Sequence, residues 1–349
     1  MKSMLEIRVV TLPDGAIAPE NFDLFDASLP AALPGDSVRL RNDWFGLNAG
    51  MRSRIGQAQA ASGNQAALTQ RYAGLLGIGD VPQSDAVAQV LESTAAAFKP
   101  GDWVVHIAPW RTLDVVQAGK LRRVEVTADT PPDLYLTALG HAAFTAYSGM
   151  VNVGQVGARD TVYVSAAGGG VGSYAAQIAS LRGARVIGSA GSAEKLAYLV
   201  NDLKLTAAFN YRHTHLADAL ADFAPAGLSL CYDNVGGEQL EAAIGAMGDH
   251  GRIVLCGMVS RYSQQSALAG PRNLDLFIKR RLSMTGFTVL DHEGTRPEFE
   301  ASMRQWMSRH ELVVRSTVFK GLGALPLAFS SLLKGATIGR TLVCTGAGA

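Results

Sequence analysis

The chain has 349 residues, 48% of them hydrophobic and only 17% charged, which supplies apolar material for more than one sizeable core and excludes intrinsic disorder. Lys and Arg number 31 against 30 Asp and Glu, a net charge of +1; a general nucleic-acid binder carries a basic excess, so that class is set aside. Three cysteines, Cys231, Cys256 and Cys344, are too few and too scattered for a disulfide framework or a Cys-x-x-Cys metal site. Reduced thiols in a cytoplasmic protein are expected.

The opening MKSMLEIRVV has Glu6 and Arg8 where an export signal needs an apolar core. Residues 5–12 and 37–42 read as strands, the second launched by the turn Pro34-Gly35-Asp36. Residues 85–93 form another, and Pro100-Gly101-Asp102 launches a strand over 103–107. Strands at this spacing, with little helix, predict a barrel-like or partly open β domain. Between residues 56 and 70 the composition shifts to Ala, Gln, Ser and Gly without an apolar stripe. That segment reads as a surface insertion and a candidate lid.

From about residue 134 strands alternate with helices. Strands are expected over 160–165, 185–189, 228–233, 251–256, 282–288 and 340–345, and helices over 171–181, 193–203 and 237–247. Alternation of this kind predicts a parallel, doubly wound sheet. Residues 161–181 carry no charge and are long enough to span a bilayer. Three adjacent glycines, three serines and Gln177 make that stretch a buried strand, a turn and a helix instead, so no membrane partner is expected.

The stretch VYVSAAGGGVGSYAAQIASL is the most informative. A buried strand runs into Gly168-Gly169-Gly170-Val171-Gly172 and then a helix of small residues, the setting in which glycines let the backbone approach a pyrophosphate. The first position of the fingerprint is Ala167, giving A-x-G-x-x-G. An NAD site wants an acid about 20 residues on to hold the ribose 2′-OH. Here that region is Ser189-Ala190-Gly191-Ser192, followed by Lys195. Small residues leave room for a 2′-phosphate and the lysine supplies charge opposite it, so NADPH (NADP) is expected over NADH. The competing view of Lys195 as a solvated first-turn residue runs against the helix dipole.

Together these residues resemble the medium-chain dehydrogenase/reductase superfamily, in its zinc-independent prostaglandin reductase, curcumin reductase and alkenal double-bond reductase branch. The resemblance rests on residues 165–173, on Gly191-Ser192-Ala193-Glu194-Lys195, on Phe209-Asn210-Tyr211 and on Tyr232-Asp233-Asn234-Val235-Gly236-Gly237. It continues through Gly251-Arg252-Ile253, Cys256-Gly257, Ser260-x-Tyr262, Gly286-Phe287, Phe144-Thr145-Ala146-Tyr147 and Pro100-Gly101-Asp102.

The resemblance implies an α/β fold with a Rossmann-type doubly wound parallel sheet plus a GroES-like β-rich catalytic domain. The domains would be residues 1–134 (GroES-like, substrate side), 135–305 (Rossmann, NADPH-binding) and 306–349 (a segment returning to the β domain). It also implies a homodimer and NADPH-dependent reduction of the double bond of an α,β-unsaturated ketone or aldehyde. Gly169, Gly170, Val171 and Gly172 would line the pyrophosphate, and Lys195 and Tyr211 would hold the 2′-phosphate. Asn234, Cys256 and the strip Phe287, Thr288 and Val289 would lie near the nicotinamide. Tyr262 would be the catalytic hydroxyl beside the substrate carbonyl; its competing reading is a loop aromatic that shields the site.

Two stretches depart from the family. Relatives carry Asp-Pro-Tyr-Met-Arg where this chain has Asn48-Ala49-Gly50-Met51-Arg52, and Met-Pro-Gly-Leu-Thr where it has His141-Ala142-Ala143-Phe144-Thr145. Both border the substrate side, which makes Asn48, Met51, Trp110 and His141 candidate substrate contacts, with a packed residue the alternative for His141. A catalytic zinc would want Cys, His and an acid converging, but residues 1–132 hold no cysteine and only His106. No metal is expected. A quinone reductase of the same superfamily and a non-catalytic NADPH-binding sensor are the alternatives to the double-bond reductase.

Overall fold

The computed structural model describes residues 2–56, 75–262 and 270–346. The chain divides into two compact units, Met1–Thr137 with Ser316–Ala349, and Ala138–Arg315. The second boundary falls ten residues beyond the 305/306 expected from sequence, for a physical reason. The helix Arg296–Ser308 buries Phe299 and Met303, and the Phe299 ring lies 5.0 Å from Phe144 and 5.6 Å from Tyr147. Beyond it the Gln177 carboxamide donates to Val313 O at 3.1 Å and accepts from Val313 N at 2.7 Å. The segment up to Arg315 is thereby sewn to the helical unit.

The first unit opens with β1 (Lys2–Val9) antiparallel to β2 (Phe22–Leu29). It continues through β3 (Ser37–Leu47), β4 (Gln83–Ser93), β5 (Trp103–Pro109), β6 (Leu113–Gln117) and β7 (Arg122–Val124). The alternating burial expected of a half-buried strand is replaced on β3 by near-continuous burial, because its side chains enter two cores, Val38 and Leu40 one and Phe45 and Leu47 the other; β3 pairs with β4, β6 and the C-terminal strand.

Among its described residues the second unit holds six parallel strands: β8 (Thr161–Val164), β9 (Arg185–Ala190), β10 (Ala207–Asn210), β11 (Leu228–Asp233), β12 (Met247–Leu255) and β13 (Ser283–Gly286). They lie in the order β10-β9-β8-β11-β12-β13. Counted from β8, that is 3-2-1-4-5-6, the doubly wound order in which ligands bind outside the carboxyl ends where the order reverses. Here the reversal lies between β8 and β11. The helices α1 (His141–Tyr147), α2 (Gly170–Leu181), α3 (Ala193–Ala197), α4 (Leu216–Phe223) and α5 (Gly237–Ala246) belong to the same unit. Tyr163, Ile187, Phe209, Leu220, Leu240, Ile244 and Ile253 fill one of its cores.

The chain returns to the first unit through β14 (Ser316–Lys320) and β15 (Arg340–Cys344), completing the sheet order β14-β15-β3-β4-β5-β7 with β6 on β3. Arg340 is buried; it pairs with Asp85 at 2.8 Å and donates to the carbonyls of Leu136 and Leu47. Gly46 makes room, since a Cβ there would stand 2.8 Å from that guanidinium. No helix among the described residues is long and apolar enough to cross a membrane.

Candidate functional site

β8 delivers the chain to Ser165, and the turn that follows is built for close approach. Ala166 takes a left-handed φ of 51°. A Cβ on Gly172 would stand 2.3 Å from Ala166 O and 2.9 Å from its carbonyl carbon, so no side chain fits there. Gly169 is the N-cap of α2 and offers no side-chain cap, and the first intrahelical bond runs from Ser173 N to Gly169 O at 2.9 Å. The N–H groups of Gly170, Val171 and Gly172 therefore have no partner within the helix. An anion at the positive end of a helix is their ordinary complement.

The reversal point itself is cross-linked. Ser165 Oγ donates to Asp233 Oδ1 at 2.7 Å and accepts from Asn234 N at 2.8 Å. Asp233 also accepts from Val235 N and Gly236 N. Burial pushes the Asp233 carboxyl up from the usual range, and these donors pull against that push. Asn234 is buried with its amide nitrogen 2.7 Å from Ser165 O. Gly236, at φ 73° and ψ −158°, occupies a region open to glycine alone. The Asp-Asn-Val-Gly-Gly run is thus a clasp holding the glycine turn to the end of β11.

At the end of β9, Ser192 caps α3 by accepting from Lys195 N at 3.3 Å. The Lys195 stem lies over Gly168, where a Cβ would meet its Cδ at 3.1 Å. Tyr211 and Arg212 close over Gly191 from β10: a Cβ on Gly191 would meet the Tyr211 hydroxyl at 2.9 Å and Arg212 Nε at 3.1 Å. Burial, and after it the nearby Arg212 charge, lowers the Lys195 pKa. Lys195 thus lies over Gly168 and Tyr211 over Gly191. Arg212 was not foreseen; its only sequence signal is that it directly follows Tyr211.

β12 leads into Cys256, whose N–H donates to Asp233 O at 2.8 Å. Burial pushes the Cys256 thiol up to about 11, so it is neutral at physiological pH. The next turn is pinned to the clasp by Val259 N to Asn234 O, Ser260 N to Val235 O and Ser260 Oγ to Val235 O at 2.6 Å. Tyr262 ends this turn, and its hydroxyl accepts from Met258 N at 3.3 Å. That bond uses a lone pair and leaves the phenolic proton to donate elsewhere. Burial raises the phenol's pKa, which keeps that proton in place. Phe287 and Tyr232 converge on Gly149, where a Cβ would stand 2.8 and 2.5 Å from their rings; Thr288 and the buried Val289 follow.

Two of the four candidate substrate contacts are corrected. Trp110 is fully buried, 5.6 Å from the Phe22 ring and 5.9 Å from Phe329, with its indole N–H on Ser84 Oγ at 3.1 Å. An aromatic with every face packed and its donor satisfied is core. Met51 joins the same core. Asn48 is half-buried at the start of a 3-10 turn over Ala49–Arg54, and His141 is the half-buried first residue of α1. The expected insertion at 56–70 lies, beyond Gly56, outside the described residues. Among the described residues no cluster of His, Cys, Asp and Glu is arranged to hold a metal ion.

Residues 170–309 match the family model described as zinc-binding dehydrogenase, and residues 6–124 match the N-terminal domain of oxidoreductase. The NADPH-dependent curcumin reductase of Escherichia coli is 32% identical over 95% of this chain and 94% of its own length. The chain belongs to the medium-chain dehydrogenase/reductase superfamily, in its curcumin, prostaglandin and alkenal reductase branch. Prostaglandin reductase 1 of Bos taurus is 36% identical over 76% of this chain and 82% of the relative. CurA from Vibrio vulnificus, solved in complex with NADPH, superposes with a TM-score of 0.89 at 31% identity, over 98% of this chain and 99% of the other. The fold class expected from the sequence, a Rossmann-type sheet plus a GroES-like β-rich domain, is that of this neighbour.

Proposed function

We propose that the chain is an NADPH-dependent reductase of carbon–carbon double bonds, acting on α,β-unsaturated ketones or aldehydes. The observation that carries the reading is the conjunction, in one family member, of the glycine turn at the sheet's reversal point with a cationic rather than acidic loop after β9. The relatives named for curcumin, prostaglandin and alkenal reduction supply the reaction class. NADPH, when bound, would supply the hydride for the β-carbon, and water would supply the proton that completes the α-carbon.

The protein's own residues position and stabilise. Gly170, Val171 and Gly172 leave backbone N–H groups to the pyrophosphate, while Gly169, whose own N–H is spent on Ala166 O, lines it as backbone without a side chain; Lys195 and Tyr211 hold the 2′-phosphate. Asn234, Cys256 and the strip Phe287, Thr288 and Val289 wall the nicotinamide end. Negative charge grows on the carbonyl oxygen as the hydride arrives, and a donor aimed at that oxygen lowers the barrier. Tyr262 is that donor: its hydroxyl already accepts from Met258 N, and its remaining proton stays on because the phenol's pKa is raised. His141, half-buried at the start of α1 in the same unit as Tyr262, is the proposed substrate contact.

The same reading includes a homodimer paired along β13, whose four residues are all exposed at the sheet edge. Light scattering that returns a monomer overturns this part.

The test is absorbance at 340 nm with NADPH, and separately NADH, against a panel of enones, an alkenal and a quinone. Oxidation of NADPH by the enones, weak with NADH, is the expected result. Turnover of the quinone alone would favour a quinone reductase. NADPH binding without turnover of any acceptor would favour a sensor.

A further inference from the structure

We infer that Arg212 is a second cation of the 2′-phosphate subsite and sets the preference for a 2′-phosphorylated adenosine, gripping a phosphomonoester dianion together with Lys195 and Tyr211. The inference rests on the NADPH reading above and adds a residue to it.

The geometry carries it. Arg212 is exposed just beyond the end of β10, yet its Nε stands over Gly191, within 3.1 Å of where a Cβ would be. Gly191 lies in the loop that separates β9 from α3, where an NAD-binding chain would carry its ribose-binding acid. A Cβ on the same glycine would meet the Tyr211 hydroxyl at 2.9 Å, so a phenolic O–H and a guanidinium are gathered over one glycine. From the other side Lys195 reaches along Gly168. Arg212 is steadied by its own N–H on Asn210 Oδ1 at 3.0 Å and by its guanidinium 5.8 Å from the centre of the Tyr211 ring.

Two cations, one over Gly168 and the other over Gly191, repel each other. The Arg212 charge is felt at Lys195, where it is among the causes that lower the pKa, partly countered by Glu194. A dianion between them turns that repulsion into attraction. A guanidinium presents a planar fork matched to phosphate oxygens, whereas an ammonium is a point charge. Lys195 supplies field and Arg212 direction.

The test uses the full-length protein and calorimetric titration with 2′,5′-ADP and with 5′-AMP, two probes that differ only at the 2′-phosphate. The wild type is expected to prefer 2′,5′-ADP. Arg212→Gln is expected to cut that preference by about tenfold or more, the scale of a charge-assisted hydrogen bond, and to leave 5′-AMP affinity unchanged. Arg212→Lys restores part of it. A wild type without preference overturns the NADPH reading itself. A wild type with preference, but an Arg212→Gln variant that keeps it or that loses both probes equally, overturns the role of Arg212 and leaves the subsite standing.

Discussion

Ser165 and Asp233, 68 residues apart in sequence, meet at 2.7 Å across the reversal point of the parallel sheet. One follows β8 and the other ends β11, and the bond between them fixes the takeoff of the glycine turn. It also fixes the Tyr262 turn, because Asn234 and Val235 carry the carbonyls to which Val259 and Ser260 are bonded. The two halves of the candidate cofactor site are thus referred to one buried carboxylate.

Asp233→Ala strands the Ser165 hydroxyl and the Gly236 N–H in a buried setting. The expected cost is on the order of 2–3 kcal/mol in urea unfolding, with NADPH affinity in a fluorescence titration falling by more than the stability loss accounts for. Ser165→Ala removes two bonds, the one given to Asp233 Oδ1 and the one accepted from Asn234 N, and is expected to cost about 2 kcal/mol. Equal stability in the Asp233→Ala variant would show that the clasp holds nothing.

Gly172→Ala tests the turn from its other side. Its new methyl would enter the space of Ala166 O, 2.3 Å away, and backbone cannot rotate aside as a side chain can. Overpacking of this kind costs about 1–3 kcal/mol. Since relief requires lifting α2 from the turn, NADPH binding is expected to be lost while the β-rich unit retains its near-ultraviolet signal. Normal NADPH affinity in this variant would exclude the turn from cofactor binding.

Tyr262→Phe removes the proposed donor and keeps the ring. Turnover with a reactive enone is expected to fall on the order of 10²–10³-fold, the usual effect of losing one such donor. NADPH affinity is expected to stay at the wild-type value, because the Tyr262 turn is held by the Val259 and Ser260 bonds. Unchanged turnover would return Tyr262 to the role of a loop aromatic.

Much of this architecture was legible in the chain. The strand over Leu228–Asp233 has the expected bounds, because an apolar run bounded by Gly227 and the Asp-Asn-Val-Gly-Gly turn has few alternatives. The helix expected over 193–203 keeps its α form only to Ala197 and widens over Tyr198–Asp202, where Leu203 N reaches back to Tyr198 O; periodicity alone does not register one extra residue in a turn. The helix Arg296–Ser308 was missed because it buries little beyond Phe299 and Met303. β10 was missed as a strand because only Ala207 and Phe209 of its four residues are buried apolar positions. In the site, the glycine turn and Lys195 announce themselves locally, whereas Ser165 with Asp233, and Arg212 with Gly191, become partners only once the sheet order is known. Trp110 shows the reverse error, since an aromatic near a family's substrate side looks the same in sequence whether it lines a surface or fills a core.

The β-rich unit carries its own pH signature. His106 is buried, with Nε2 2.9 Å from Asn42 Oδ1. The Asn42 amide nitrogen donates to Arg111 O at 2.9 Å, so its oxygen faces the imidazole and His106 donates from Nε2. Burial first, and then the Arg111 charge, lowers the His106 pKa to about 4. An unfolded histidine titrates near 6.5, so between these values the unfolded chain binds the extra proton and stability rises with pH. The His106 contribution is therefore full above about pH 6.5 and is lost as the pH falls toward 4, by on the order of 3 kcal/mol. Carboxylates add slopes of their own, so the readout is the difference between wild type and His106→Gln in urea unfolding from pH 4 to 8. The wild-type curve is expected to fall more steeply than the variant's below pH 6.5 and to run parallel to it above. Parallel curves across the whole range would mean that His106 takes up its proton in the folded state as readily as in the unfolded one.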